Sequence, residues 1–89
     1  MQIEVWSQSH LVAWIEYVVV DGETIVTNLQ SIQPGKGHAT TLLNMLKKES
    51  KSITLDDMSD HYRKSHNIYV KNGFQYVEED GPEMIWRQN

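Results

Sequence analysis

The chain is predicted to fold as a single α/β (α+β) domain, a mixed, mostly antiparallel sheet with two helices in the order β-β-β-α-β-α-β-β. Three observations predict it. Residues 11–20 are dense in β-branched and aromatic side chains and run into Asp21-Gly22, a strong two-residue hairpin signal. Ala39, Leu42, Leu43 and Leu46 then recur at i, i+3, i+4 and i+7, the period of one helical face. Strand-forming segments return before and after a second helical stretch, and a strand-helix-strand succession gives parallel neighbours in the sheet.

Taken in order, Gln2 to Trp6 is a short β-prone segment, and Ser7-Gln8-Ser9-His10 has the composition of a turn. Leu11 to Val20 and Glu23 to Ile32 are the two arms of the Asp21-Gly22 hairpin. The first helix begins beside Gly35-Lys36-Gly37 and ends near Lys47-Lys48, whose cations suit the negative end of the helix dipole. Ser52 to Asp56 reads as a strand with Ile53 and Leu55 on one face. Ser59 or Asp60 is the expected cap of a second helix running to about Asn72, with Asn72-Gly73 as its stop. Phe74 to Glu79 and Glu83 to Gln88 are the last two strands, joined by Asp80-Gly81-Pro82.

At 89 residues the chain fits one domain spanning 1–89, with a modest core, since a domain of this size buries only roughly two thirds of its unfolded surface. The net charge of −4 provides no basic surface to neutralise phosphates, so nucleic acid is not an expected partner. Acidic groups at Asp56, Asp57 and Asp60, and at Glu78, Glu79 and Asp80, favour a cationic partner where they are more than solvated surface charge. There is no cysteine, so disulfides, thiolate zinc sites and a cysteine nucleophile are excluded. His61 and His66, five residues apart, do not share a helix face well, and no metal site is expected. The apolar run from Leu11 to Val20 contains Glu16 and falls far short of the roughly 20 residues of a membrane span. With no signal-peptide pattern at Met1-Gln2-Ile3-Glu4, a cytoplasmic protein is expected.

The chemistry concentrates in the turn before the first helix. A glycine-rich turn entering a helix presents backbone N–H groups without intrahelical partners, and the helix dipole adds positive character there, which together make an anion site. Gly35 and Gly37 allow close approach of a phosphate, and the Thr40 hydroxyl adds a donor. This is not a P-loop, because Lys36 is followed by Gly37 rather than by Ser or Thr. Nor is it a dinucleotide fingerprint, which needs a third glycine and an early strand-helix-strand unit.

With the hairpin before it, the segment Gln33-Pro34-Gly35-Lys36-Gly37-His38-Ala39-Thr40, followed by Leu42-Leu43, resembles the acetyl-CoA motif Q/R-x-x-G-x-G/A of the GNAT acetyltransferases. Gly37 and Ala39 match its last two fixed positions, while Pro34 stands where the family has Gln or Arg. Further on, Ile68-Tyr69-Val70-Lys71-Asn72-Gly73-Phe74 looks like the family's L-Y-x-x-x-G-F segment. The resemblance covers residues 11 to 88 and describes a minimal form without the two helices that ordinarily precede the hairpin. Family members of similar length include ones that acetylate a protein of a bacterial defence system.

The resemblance implies an N-acetyltransferase that moves an acetyl group from acetyl-CoA to a primary amine by direct attack on the thioester. It implies that Gly35, Lys36, Gly37, His38, Ala39 and Thr40 hold the pyrophosphate and that the backbone of Leu29, Gln30 and Ser31 binds the pantetheine arm. An N–H of that strand would polarise the thioester carbonyl, a role worth about 3 kcal/mol. Tyr69 matches the tyrosine that protonates the departing thiolate. The attacking amine must first lose a proton, and Glu16, Glu23, Asp56 and Asp57 are the candidate bases, none of which sequence alone can place. An open acidic site suits a lysine side chain or amino terminus of another protein, and free sheet edges make a homodimer one expected state. The substitution of Pro34 and the unplaced base leave a second reading, a non-catalytic CoA-binding or protein-interaction module on the same fold.

Overall fold

The computed structural model describes residues 1–33 and 35–89. In chain order it contains β1 (Gln2–Ser7), β2 (His10–Val20), β3 (Glu23–Ser31), α1 (His38–Lys47), β4 (Ser52–Asp56), α2 (Ile68–Lys71), β5 (Gln75–Tyr76) and β6 (Glu83–Arg87). This is the predicted succession, a mixed sheet with two helices. The strands form one six-stranded sheet in the order β1-β2-β3-β4-β6-β5.

Local chemistry explains the first half. The β2–β3 turn has positive φ at both Asp21 (53°) and Gly22 (82°), the handedness that matches the twist of a hairpin. The β1–β2 turn has the same handedness at Gln8 and Ser9 without a glycine. Helix α1 then carries the chain from β3 to β4, and these two strands pair in parallel, as a strand-helix-strand crossover requires. All other pairings are antiparallel.

Ala13 and Ile15 of β2, Ile53 and Leu55 of β4 and Met84 of β6 share one sheet face, and Leu42, Leu43 and Leu46 of α1 pack on it with Phe74. Burying each such aliphatic side chain contributes about 1.5–3 kcal/mol. The opposite face exposes Val18, Val20 and Ile25.

The second helix is shorter than its sequence predicts. It starts at Ile68 and is capped by Asn67, neither Ser59 nor Asp60. Residues 60–63 and 65–66 are turns, and Arg63 has φ 60°, a left-handed conformation that no right-handed helix contains. Arg63 is held there by tertiary bonds: its guanidinium donates to the Glu78 and Gly81 carbonyls at 2.7 and 3.0 Å and lies 4.3 Å from the Tyr76 ring. These contacts, together with the weak apolar stripe of the segment, outweigh helix propensity. The last two strands are also trimmed, β5 to Gln75–Tyr76 and β6 to Glu83–Arg87.

Candidate active site

A bulge creates the site. Glu16 of β2 faces Asn28, and Tyr17 faces Val26, so Thr27 is an extra residue on β3. Its hydroxyl donates to the Glu16 carbonyl at 3.1 Å. A bulge bends its strand and increases the local twist. The consequence falls on the other edge of β3, where pairing with β4 is confined to Glu23, Thr24 and Ile25 opposite Ser52, Ile53 and Thr54. Beyond that point the two parallel strands part, and a cleft of about 740 Å³ opens between them. Leu29 and Gln30 line it from β3, Leu55 and Asp56 from β4, Glu83 from β6, and Tyr69 from α2.

The glycine turn lies where β3 passes into α1. Gly37 caps the helix with φ 78° and makes no side-chain cap bond, and Gly35 has φ 83°. A Cβ at either glycine would meet nothing within 4 Å, so backbone conformation rather than crowding demands them, and the outer side of the turn is open. The early N–H groups of α1 have no intrahelical acceptors by helix geometry. Gly35, Lys36 and Gly37 are exposed, and His38, Ala39 and Thr40 are half-buried. The His38 ring is engaged within the turn, its Nε2 lying 2.9 Å from Gln33 Oε1. Pro34, at the family's Gln or Arg position, lies outside the described residues.

Two of the strand residues singled out by sequence, Leu29 and Gln30, share the cleft with Tyr69, whereas Ser31 and the glycine turn lie beyond its lining. Thr40 ties the two regions together, since its Oγ1 accepts from Asn72 Nδ2 at 3.2 Å, and Asn72 closes the helix that carries Tyr69.

Tyr69 is half-buried, edge-on to Phe74 at 6.1 Å between ring centroids. Burial, and then the negative charge of Asp57, push its phenol up to about 12. Asp57 itself is only 2% exposed. Its Oδ1 accepts from Ser59 N and Oγ, and its Oδ2 from Asn67 Nδ2 at 2.8 Å and from the Tyr76 hydroxyl. Burial works to raise the Asp57 pKa, and these hydrogen bonds outweigh it, holding the carboxyl below the usual range.

The four candidate bases therefore separate. Asp56 lines the cleft, directly opposite Glu83 in the β4–β6 ladder. Asp57 is saturated with donors inside the fold. Glu16 Oε2 accepts from Asn28 Nδ2 at 2.6 Å, and Glu23 sits at the far, paired end of β3. Sequence reasoning missed Glu83 and Asn67. The signal for Asn67 was present, an Asn immediately before a turn that closes on Asn-Gly.

His61 and His66 are brought together, contrary to the expectation from their spacing, with Nε2 of His66 at 3.2 Å from Nδ1 of His61, because the segment between them turns instead of forming a helix. Among the described residues no group of three or more His, Cys, Asp or Glu side chains is placed to hold a metal ion. No helix among them is long and apolar enough to cross a membrane.

A strand that leaves its parallel neighbour, followed by a glycine turn and a helix, defines the fold of the GNAT acetyltransferases, and solved structures agree. The anti-CRISPR protein AcrVA5 superposes with a TM-score of 0.73 at 24% identity, over 97% of this chain and 96% of its own. The PaiA N-acetyltransferase from Thermoplasma acidophilum, in complex with coenzyme A, gives 0.78 at 22% identity, over 99% of this chain but 60% of its own. An aminoglycoside 6'-N-acetyltransferase complexed with coenzyme A gives 0.75 at 17% identity, over 97% of this chain and 71% of its own. No family model and no curated protein matches by sequence. The chain thus has the GNAT fold, with the length of AcrVA5 and a little under two thirds that of PaiA.

Proposed function

We propose that the protein is an N-acetyltransferase that transfers an acetyl group from acetyl-CoA to a primary amine, most simply a lysine side chain or amino terminus of another protein. The observation that supports this reading is the cleft between β3 and β4 beyond the Thr27 bulge, lined by Leu29 and Gln30 of β3 and by Tyr69, with α1 following β3 just outside it. Coenzyme A is present in two of the solved structures that share the fold.

Each part has a physical role. The first-turn N–H groups of α1, with Gly35 and Gly37 leaving room, receive the pyrophosphate. The backbone N–H and C=O groups of Leu29 and Ser31 point away from β2, whereas those of Asn28 and Gln30 pair with Glu16 and Trp14. The free groups of Leu29 and Ser31 bond the amides of the pantetheine arm, as a strand edge pairs with a peptide. One of those N–H groups polarises the thioester carbonyl.

The amine attacks the thioester carbonyl carbon, a C–N bond forms, the C–S bond breaks, and the sulfur leaves with the bonding pair. A thiol has a pKa of about 8.5. A phenol at about 12 holds its proton more tightly than such a sulfur, so Tyr69 donates a hydrogen bond to the growing negative charge. The proton lost by the amine balances the thiolate.

Asp56 and Glu83 are both exposed and give the cleft two facing carboxylates, which attract an alkylammonium and provide a base for it. Met58 beside them is 84% exposed, so this mouth is open to a side chain presented on a large partner. The name of the similarly sized neighbour, an anti-CRISPR protein, fits a protein acceptor better than an enclosed metabolite.

Calorimetric titration with acetyl-CoA tests the reading, using Gly37→Glu and Gly37→Ala side by side. Both substitutions strain the same positive φ, at about 1–2 kcal/mol, into open space, but only the carboxylate repels a pyrophosphate. Binding by the wild type and the alanine variant with loss in the glutamate variant is the expected result. Failure of the folded wild type to bind acetyl-CoA would overturn the assignment.

A further inference from the structure

We propose that Asp57 and Asn67 are the positioning residues of Tyr69: the buried Asp57 carboxylate fixes the Asn67 amide, and the Asn67 carbonyl oxygen fixes the start of the helix that carries Tyr69 into the cleft. The inference rests on the reading of Tyr69 as a working residue of that cleft.

Helix α2 has only four residues and cannot support itself, since isolated helices shorter than about 12–15 residues are marginal in water. Its orientation must come from its ends. At the start, Asn67 is fully buried, and its Oδ1 accepts from Tyr69 N at 2.7 Å and Val70 N at 3.3 Å. The other half of the same amide donates to Asp57 Oδ2 at 2.8 Å, to Ser59 Oγ at 3.2 Å and to the His61 carbonyl at 3.0 Å. At the far end, the Asn72 side chain donates to the Ile68 carbonyl and to Thr40 of α1, and the Asn72 carbonyl accepts from Lys47 Nζ at 2.6 Å. Tyr69 is thereby held between the Asp57 cluster and the helix whose start meets the donor substrate.

A buried carboxylate is a costly way to anchor a capping amide. Among the described residues every contact to Asp57 is a neutral donor, so its charge has no cationic partner to offset desolvation. A neutral amide of the same shape would keep the Asn67 and Tyr76 bonds through its one carbonyl oxygen, losing those from Ser59. What the charge adds is a fixed negative potential beside the phenol, which supports its protonated, donating form. Other charged or titratable groups around Tyr69 are Asp56 and Glu83 in the cleft, Lys47 from α1, and Tyr76 and Arg63 on the far side of Asp57. Of these carboxylates, only Asp57 is buried.

The test uses Asp57→Asn, Asn67→Ser and Tyr69→Phe in the full chain, with folding checked by circular dichroism. Ultraviolet titration of tyrosine ionisation comes first, because it needs no activity; subtracting the Tyr69→Phe curve isolates Tyr69. In Asp57→Asn the Tyr69 transition should move from about 12 toward the ordinary value. In steady-state assays both positioning variants should lose about tenfold or more in kcat, part of the roughly 10²–10³ that a placed hydrogen-bond donor to developing charge contributes. KM for acetyl-CoA should stay unchanged, because the start of α1 is untouched.

An unmoved Tyr69 transition with kcat intact in folded Asp57→Asn would overturn the proposal. Should Asp57→Asn fail to fold, Asn67→Ser decides by the same kcat criterion, since serine keeps a capping oxygen but is too short to bridge to Asp57 as the amide does. If Tyr69→Phe retains full kcat, the reading of Tyr69 fails instead, while the titration still reports whether Asp57 acts on it.

Discussion

Tyr69 links the chemistry of the cleft to the stability of the fold. Burial pushes its phenol up to about 12 in the folded protein, against an ordinary value of about 10, so the folded state binds that proton more tightly than the unfolded one. The stabilisation is complete below pH 10 and is lost as the pH rises from 10 through 12. At pH 11 the loss from this one group should be about 1 kcal/mol. Tyr69→Phe removes the titration, so denaturant unfolding at pH 8 and at pH 11 should show the variant losing less stability between the two than the wild type does. Equal losses would mean that the phenol is not desolvated in solution. Gly37 is the contrasting residue, since its substitution costs backbone strain at every pH and affects the donor substrate only through the side chain that is introduced.

At the scale of elements, the extra residue in β3 is the most consequential feature. Deleting Thr27 would leave Tyr17 opposite Val26 and Glu16 opposite Asn28 as consecutive pairs, so the β2–β3 register survives on both sides. What disappears is the bend, and with it the reason for β3 to leave β4. The deletion should give a folded protein, by circular dichroism, that no longer binds acetyl-CoA in calorimetry; retained binding would show that the bulge does not open the cleft. Nothing in the sequence marks this bulge, because Thr27 is an ordinary strand residue and the extra position becomes visible only against β2. The Asp21-Gly22 turn, the 3.6-residue period of α1 and the β4 segment were legible because each is dictated by its own residues. Residues 59–67 were not, since their hydrogen bonds go to Tyr76, Glu78 and Gly81, far along the chain. Of the site, the glycine turn and Tyr69 could be read from motif spacing, whereas the pairing of Asp56 with Glu83 depends on β6 inserting between β4 and β5.

Over the whole molecule, the sheet consists of two antiparallel parts, β1-β2-β3 and β4-β6-β5, joined edge to edge by three residue pairs and covered on one face by α1. A donor substrate lying in the cleft would complete the missing part of that seam, bonding to β3 on one side and packing on β4 and Tyr69 on the other. Binding should therefore stabilise the fold as a whole. A ligand present at 100 times its dissociation constant adds about 2.7 kcal/mol, and for a domain of this size each kcal/mol raises the melting temperature by roughly 4–8 °C. Hydrogen exchange locates the effect: with acetyl-CoA, protection should rise most at Leu29 and Ser31, whose N–H groups face the β3 edge that has no strand partner there, and at the first turn of α1. In the distant strand β1 it should rise only by the global increment. A melting shift without local protection at Leu29 and Ser31 would place the ligand elsewhere on the molecule, and protection there with CoA as well as with acetyl-CoA would show that the pantetheine arm, common to both, rather than the acetyl group, closes the seam.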